Sequence, residues 1–244
     1  MPATSEVTFV IPAYNEAQEL SLTLSCLHHA AACQADFRYD IVVCDNQSTD
    51  DTASIARSCH ARVVHEPVQQ IARARNTGAA AASCRWLIFL DADTRINRML
   101  MASVLEKIRS GRYGLIGSLV EFDIEELDWF PLLVINTWNQ VSLLSRCAAG
   151  SFIACPTSAF REIGGFHPDL FAGEEIDFSL RMLRWCRNHT VQAHIEAVAP
   201  VITSGRKIRG KSTWEMVKQL AILFPGSLRS RTACDFWYND QWRD

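Results

Sequence analysis

The chain has 244 residues, 48% of them hydrophobic and 21% charged, with a formal net charge of −3 and a pI near 6.2. This is the length of one α/β domain with a tail, long enough to bury a sizeable core, and the acidic balance gives no support to nucleic acid as the main partner. Nine cysteines with no C-x-x-C pair fit neither a zinc motif nor a disulfide framework and point to reduced thiols in the cytoplasm.

The opening MPATSEVTFVIPAYNE lacks a basic stretch followed by a long apolar one, so no signal peptide is expected. The first expected strand is VTFVIP (7–12), followed by a helix over 16–33. YDIVVCD (39–45) is a second strand, leading to a helix over 50–59. ARVVHE (61–66) is a third strand, the Ala-rich IARARNTGAAAAS (71–83) a helix, and WLIFLD, ending at Asp91, a fourth strand. Short apolar runs alternating with helical stretches indicate βαβ units and a mainly parallel sheet. Ligands on such sheets sit outside the carboxyl ends of the strands, which is where PAYNE, CDNQSTDDT and DADT collect acids and amides along one edge.

The second half is less regular. A helix over 97–109 leads to the strand YGLIGSLVEF (113–122), then to an apolar helix over 129–146 interrupted by Pro131, Asn136, Asn139 and Gln140. No apolar run reaches the roughly 20 residues that span a bilayer. GSFIACPTSAFREIGGF (150–166) reads as strand, turn and short helix closed by Gly164 and Gly165. GEEIDFSLRMLRW (173–185) is a helix whose acids crowd its first turn, where the helix dipole favours negative charge. A strand over 191–200, the basic TSGRKIRGKST, and a terminal helix with a peripheral tail complete the chain. The seven histidines show no metal-ligand spacing.

Asp91 and Asp93 admit two readings. Asp93 or Thr94 can cap the helix that starts near Asn97, or the two carboxylates can converge on one hard cation, since Mg²⁺ and Mn²⁺ are held by one or two carboxylates plus substrate phosphates. FVIPAYNE, DNQSTDDT, ARARNTG and LDADT, in this order within the first 95 residues, followed by GGF (164–166) and GEEIDFSLR (173–181), closely resemble the family 2 glycosyltransferases over about residues 7–205.

That resemblance implies the GT-A fold, an α/β architecture with a Rossmann-like, mainly parallel central sheet flanked by helices and a C-terminal acceptor-side region. Residues 1–205 would form the transferase domain, with a nucleotide-binding half over 1–95 and an acceptor and catalytic half over 96–205. A basic loop, helix and tail would follow over 206–244. The implied reaction is metal-dependent, inverting transfer of one sugar from a UDP- or GDP-sugar to an acceptor hydroxyl. Pro12, Ala13, Tyr14 and Glu16 would then lie on the donor side around base and ribose, and Asp45 would accept a hydrogen bond from the base. Ser48 to Thr52 would be mainly turn and cap. Arg75, in the R-N-x-G element, would complement the diphosphate, with Arg73 second in line and Gly78 permitting close helix packing. Asp91 and Ala92 would contact the donor, and Asp93 would hold Mn²⁺ or Mg²⁺. The general base would come from Glu174 and Glu175, the latter standing where Asp is usual, with Asp177 in reserve and Arg181 as its helix partner. Arg206 would lead a basic loop closing over the diphosphate.

Processive relatives carry Q-x-x-R-W; DQWRD (240–244) has the wrong spacing, so addition of a single sugar is expected. The acceptor is open to a saccharide or a lipid-linked molecule. The stretch with Trp129, Phe130 and Trp138 is open to the core, a homodimer partner or the inner face of a membrane, core or dimer being the commoner use. The alternatives are a retaining transferase or a nucleotidyltransferase on the same architecture, the latter disfavoured by the absence of a Gly-rich opening loop, and a nucleotide-sugar-binding protein without catalysis.

Overall fold

The computed structural model describes residues 6–124, 129–206 and 229. The N-terminal half alternates as expected: β1 (Val7–Ala13), α1 (Leu20–Ala32), β2 (Tyr39–Asp45), α2 (Thr52–Ser58), β3 (Arg62–His65), α3 (Ile71–Ala80) and β4 (Trp86–Leu90). Then follow the two-residue β5 (Thr94–Arg95), α4 (Arg98–Ser110), β6 (Tyr113–Phe122), α5 (Trp129–Ser145), β7 (Phe152–Pro156), α6 (Thr157–Glu162), α7 (Glu174–Asn188) and β8 (Gln192–Thr203). All eight strands form one sheet in the order β3-β2-β1-β4-β7-β6-β8-β5. β3, β2, β1 and β4 are parallel, β7 is antiparallel between β4 and β6, β8 is parallel to β6, and β5 is antiparallel to β8.

The apolar runs follow from burial on both faces. Ile88 and Leu90 of β4 pack with Phe9, Ile11, Leu24 and Leu100 on one side, while Leu87 and Phe89 pack with Val10, Phe160, Phe166 and Phe178 on the other. Side chains alternate across a strand, so a strand covered on both faces reads as continuously apolar.

Several boundaries differ from expectation for identifiable reasons. α1 starts at Leu20 because the preceding residues form a turn, in which the Glu16 carbonyl accepts from both Glu19 N and Leu20 N. α4 is capped by Asn97, whose Oδ1 accepts from Met99 N (3.0 Å) and Leu100 N (2.9 Å). Asp93 and Thr94 are therefore not its caps. β5 was not expected, since two residues leave no periodic signal; its pairing of Thr94 with Thr203 draws the end of β8 across the end of β4. α5 forms as expected but not as a core helix: only Pro131 and Ser142 are buried, and Trp129, Leu133 and Leu144 are exposed. Among the described residues no helix is long and apolar enough to cross a membrane. Lys207, Arg209, the expected terminal helix and DQWRD lie outside the described residues.

Candidate functional site

The first part of the site is the edge formed by the ends of β1 and β2. The loop after β1 is knitted to the loop after β2: Asn15 N donates to Ser48 Oγ (3.0 Å), Thr49 N to Asn15 Oδ1 (2.8 Å), Glu16 N to Thr52 Oγ1 (2.8 Å) and Ala17 N to Asp50 Oδ2 (3.1 Å). Ser48 to Thr52 thus form the expected turn, whereas the N-cap of α2 is Asp51, which makes no side-chain cap bond. Asp45, at the end of β2, accepts from Ser48 N (3.1 Å) and lies 3.6 Å from His65 Nδ1. Tyr14 is partly exposed at the same edge, whereas Pro12, Ala13 and Ala92 are buried.

α3 lies unusually close to the sheet. A Cβ on Gly78 would stand 2.5 Å from Val10 Cγ1, so only glycine allows this depth. Three residues earlier, Arg75 is 1% exposed. Its guanidinium donates to Glu174 Oε1 (2.7 Å), Asp91 Oδ1 (3.0 Å) and the Gly150 carbonyl (3.0 Å), and lies 5.2 Å from the Phe166 ring centre. It is a buried fork that ties β4 to the start of α7, not an open cation at the surface. Arg73 turns to Gln70 Oε1 (3.0 Å).

Glu175, partly buried beside this cluster, has its carboxyl pushed up to about 8, first by burial and then by the charge of Glu174, with Asp91 adding to the effect. One guanidinium cannot fully compensate three neighbouring acids, which raises the proton affinity of the last of them. Gly150 leaves the space this requires: a Cβ there would stand 3.1 Å from Arg75 Nη2 and 3.6 Å from Glu175 Cγ. Asp177 is not brought into the cluster. It pairs with Arg181 (2.6 Å), whose Nη1 grips the Ile163 (2.9 Å) and Gly165 (2.7 Å) carbonyls.

Asp93 lies one turn beyond Asp91 and is 6% exposed. Its carbonyl accepts from Ser204 N (3.0 Å), and its carboxylate lies 3.4 Å from Thr203 Oγ1 and 3.9 Å from Arg206 Nη2. Arg206 also pairs with the Glu16 carboxylate. Glu16, Asp93 and Arg206, far apart in the chain, thus meet at one point.

Among the described residues no group of three or more His, Cys, Asp or Glu side chains could hold a metal ion by itself. The donor chemistry nonetheless suits Mg²⁺ or Mn²⁺: Asp93 offers a hard carboxylate just beyond the end of β4, and such ions take most of their ligands from water and phosphate.

Three organising residues carried no readable signal in the sequence. Asn46, buried, donates to the Glu66 (3.0 Å) and Val68 (2.7 Å) carbonyls and accepts from Gln70 N (2.8 Å). Gln70 donates to the Pro168 (2.7 Å) and Leu170 (2.8 Å) carbonyls. Asn76, noted only as part of R-N-x-G, exchanges two hydrogen bonds with the Phe166 backbone (2.8 and 2.9 Å). Together they fasten the segment before α7 to the N-terminal half.

A mainly parallel sheet with acids gathered at the carboxyl ends of its strands defines an α/β fold of the kind that takes its ligands at that edge. The glycosyl transferase family 2 profile matches residues 8–163, and the chain belongs to that family. It is 29% identical over 201 residues to the pre-mycofactocin glycosyltransferase of Mycobacterium tuberculosis, covering 75% of this chain and 40% of the relative. It is 31% identical over 223 residues to the validoxylamine A glucosyltransferase of Streptomyces hygroscopicus, covering 74% and 52%. The chain thus spans about half or less of the length of these relatives. Among solved structures it resembles S. aureus TarS in complex with UDP-GlcNAc (TM-score 0.62, 16% identity, 88% of this chain and 65% of that one). It also resembles the glucosyl-3-phosphoglycerate synthase of M. tuberculosis in complex with Mn²⁺, UDP and phosphoglyceric acid (TM-score 0.59, 18% identity, 94% and 78%). These likenesses establish the GT-A fold.

Proposed function

We propose that the chain transfers a single sugar from a nucleoside-diphosphate sugar, UDP-linked in the first instance, to an acceptor hydroxyl with inversion at the anomeric carbon. The observation that carries the reading is the acid cluster at the strand ends, in which Glu175 alone combines burial with a raised proton affinity beside an acid and a cation locked together. The solved relatives support the donor class, one holding UDP-GlcNAc and another UDP with Mn²⁺ or Mg²⁺.

In this reading Tyr14 and Asp45 receive the base and ribose, and Asp91 receives the donor sugar or ribose. Glu175 in its ionised form takes the proton of the acceptor hydroxyl, the acceptor oxygen attacks the anomeric carbon, and the bond to the diphosphate oxygen breaks on the opposite face. Arg75 acts as a positioning residue, holding Glu174 and Asp91 at fixed distance. Asp93 would hold Mg²⁺ or Mn²⁺, which when bound offsets charge on the departing diphosphate. Arg206 supplies a second cation to that diphosphate. Glu174, neutralised by Arg75, and Asp177, spent on Arg181, are the weaker candidates for the base.

Calorimetry with UDP and GDP, with and without Mn²⁺, tests the reading. UDP binding strengthened by Mn²⁺, with the enhancement lost in Asp93→Ala, is the expected result. No nucleotide binding under any metal condition sinks it.

A further inference from the structure

The end of β8 is fixed by more bonds than a surface loop needs. Thr94 Oγ1 and Thr203 Oγ1 are 3.0 Å apart, Ser204 N donates to the Asp93 carbonyl (3.0 Å), and Gly205 N donates to Asp123 Oδ1 (2.8 Å). A Cβ on Gly205 would run into Ile124. This backbone delivers the Arg206 side chain, 15% exposed, onto Glu16 and to 3.9 Å from Asp93. Only part of the guanidinium is used: Arg206 Nε and Nη1 are buried and have no hydrogen-bond partner among the described residues. Buried unsatisfied donors are costly and call for an explanation.

We infer that Arg206 is a resident counter-ion that occupies the Glu16–Asp93 carboxylate pair in the donor-free chain and must leave it before a divalent cation can bind. The inference rests on the functional reading above in taking Asp93 as the cation ligand. A guanidinium within 4 Å of that carboxylate and a divalent ion on the same carboxylate repel one another at close range. An incoming diphosphate resolves the conflict, because its oxygens can accept from the two idle guanidinium donors in a charge-assisted fork. Cation and diphosphate binding are then coupled, each favouring the other by the same factor. A bare cation is rejected, and the site assembles only around the nucleotide.

The test is Mn²⁺ binding measured by electron paramagnetic resonance of the free ion, with Mn²⁺ alone and with Mn²⁺ plus UDP. The proteins compared are the wild type, Arg206→Gln and Arg206→Lys. Wild type binds Mn²⁺ alone weakly and much more tightly with UDP. Arg206→Gln binds Mn²⁺ alone at least about tenfold tighter, a difference on the order of one decade in an equilibrium constant, and its enhancement by UDP shrinks. Arg206→Lys, which keeps the charge, stays near wild type. If Arg206→Gln binds bare Mn²⁺ no better than wild type while UDP still enhances binding in both, the counter-ion role is overturned and the functional reading stands. If no protein binds Mn²⁺ even with UDP, the metal assignment at Asp93 falls with it.

Discussion

Removing the cation that joins the two halves of the site gives the strongest test of its architecture. In Arg75→Met the Glu174 carboxylate, 6% exposed and bonded to Arg75 at 2.7 Å, is left buried beside Asp91 and Glu175. Breaking a buried ion pair by removing one partner costs about 3–5 kcal/mol, most of it the penalty of the stranded charge. For a chain of this size each kcal/mol shifts the melting temperature by roughly 2–4 °C, so a fall of about 6–20 °C is expected. The double variant Arg75→Met/Glu174→Gln removes the stranded charge and should regain at least about half of the loss, because residues in direct contact are not additive. Urea and thermal unfolding of wild type, both single variants and the double variant at one pH give the cycle. A loss below about 1 kcal/mol for Arg75→Met, or a double variant as unstable as the sum of the singles, would falsify the claim that Arg75 compensates Glu174.

Glu175 and Glu196 give opposite pH signatures. Burial and the charge of Glu174 push Glu175 up from an ordinary 4.5 to about 8, so its proton stays bound in the folded chain after the unfolded chain has released it. Stability from this group is complete below about 4.5 and declines as the pH rises towards about 8. Glu175→Gln should flatten that decline, cut transfer by about 10²–10⁴-fold and leave UDP affinity nearly unchanged, while wild-type kcat/KM climbs through the same pH range; a variant with full transfer rate would remove Glu175 as the base. Glu196, 2% exposed, stands on β8 and faces Ser103 and Lys107 of α4. Burial alone would raise its carboxyl, but hydrogen bonds from Lys107, Ser103 and Val198 N, with the Lys107 charge, hold it at about 2. Its contribution is present above 4.5 and lost as the pH falls towards 2, so Glu196→Gln should cost about 2–3 kcal/mol at pH 7 and much less near pH 3. Equal urea midpoint shifts at both pH values would contradict this.

The strands of the N-terminal half were legible because a strand buried on both faces must be apolar throughout: β2 spans Tyr39–Asp45, the same residues as the run that announced it. The residue types at the strand ends were legible for the same reason, since an acid closing an apolar run has nowhere else to go. What each charge faces was not. Arg75 is an identifiable cation on a helix, yet whether it meets a ligand or a buried acid depends on Glu174, which arrives 99 residues later. Asn46 and Gln70 bond to backbone carbonyls, a use that any asparagine or glutamine can serve and that leaves no periodic mark. The apolar character of α5 was visible, but exposure is a property of what surrounds a helix, and its sequence could not tell core from surface.

The R-N-x-G element reads differently once its neighbours are in place. Gly78 sets how deeply α3 sinks onto β1, Asn76 holds the Phe166 backbone, and Arg75 holds Glu174 and Asp91. These are three attachments on one rigid helix, within four residues, and each reaches a different part of the chain. A methyl group at position 78 would meet Val10 at 2.5 Å, so helix or strand must give way, and an α-helix transmits that displacement to Arg75 with little loss. Misplacement of reacting groups by about 1 Å can cost on the order of 10²-fold in rate. The packing depth of one small residue therefore sets the relative position of Asp91 and the acids at the start of α7, although Gly78 touches neither.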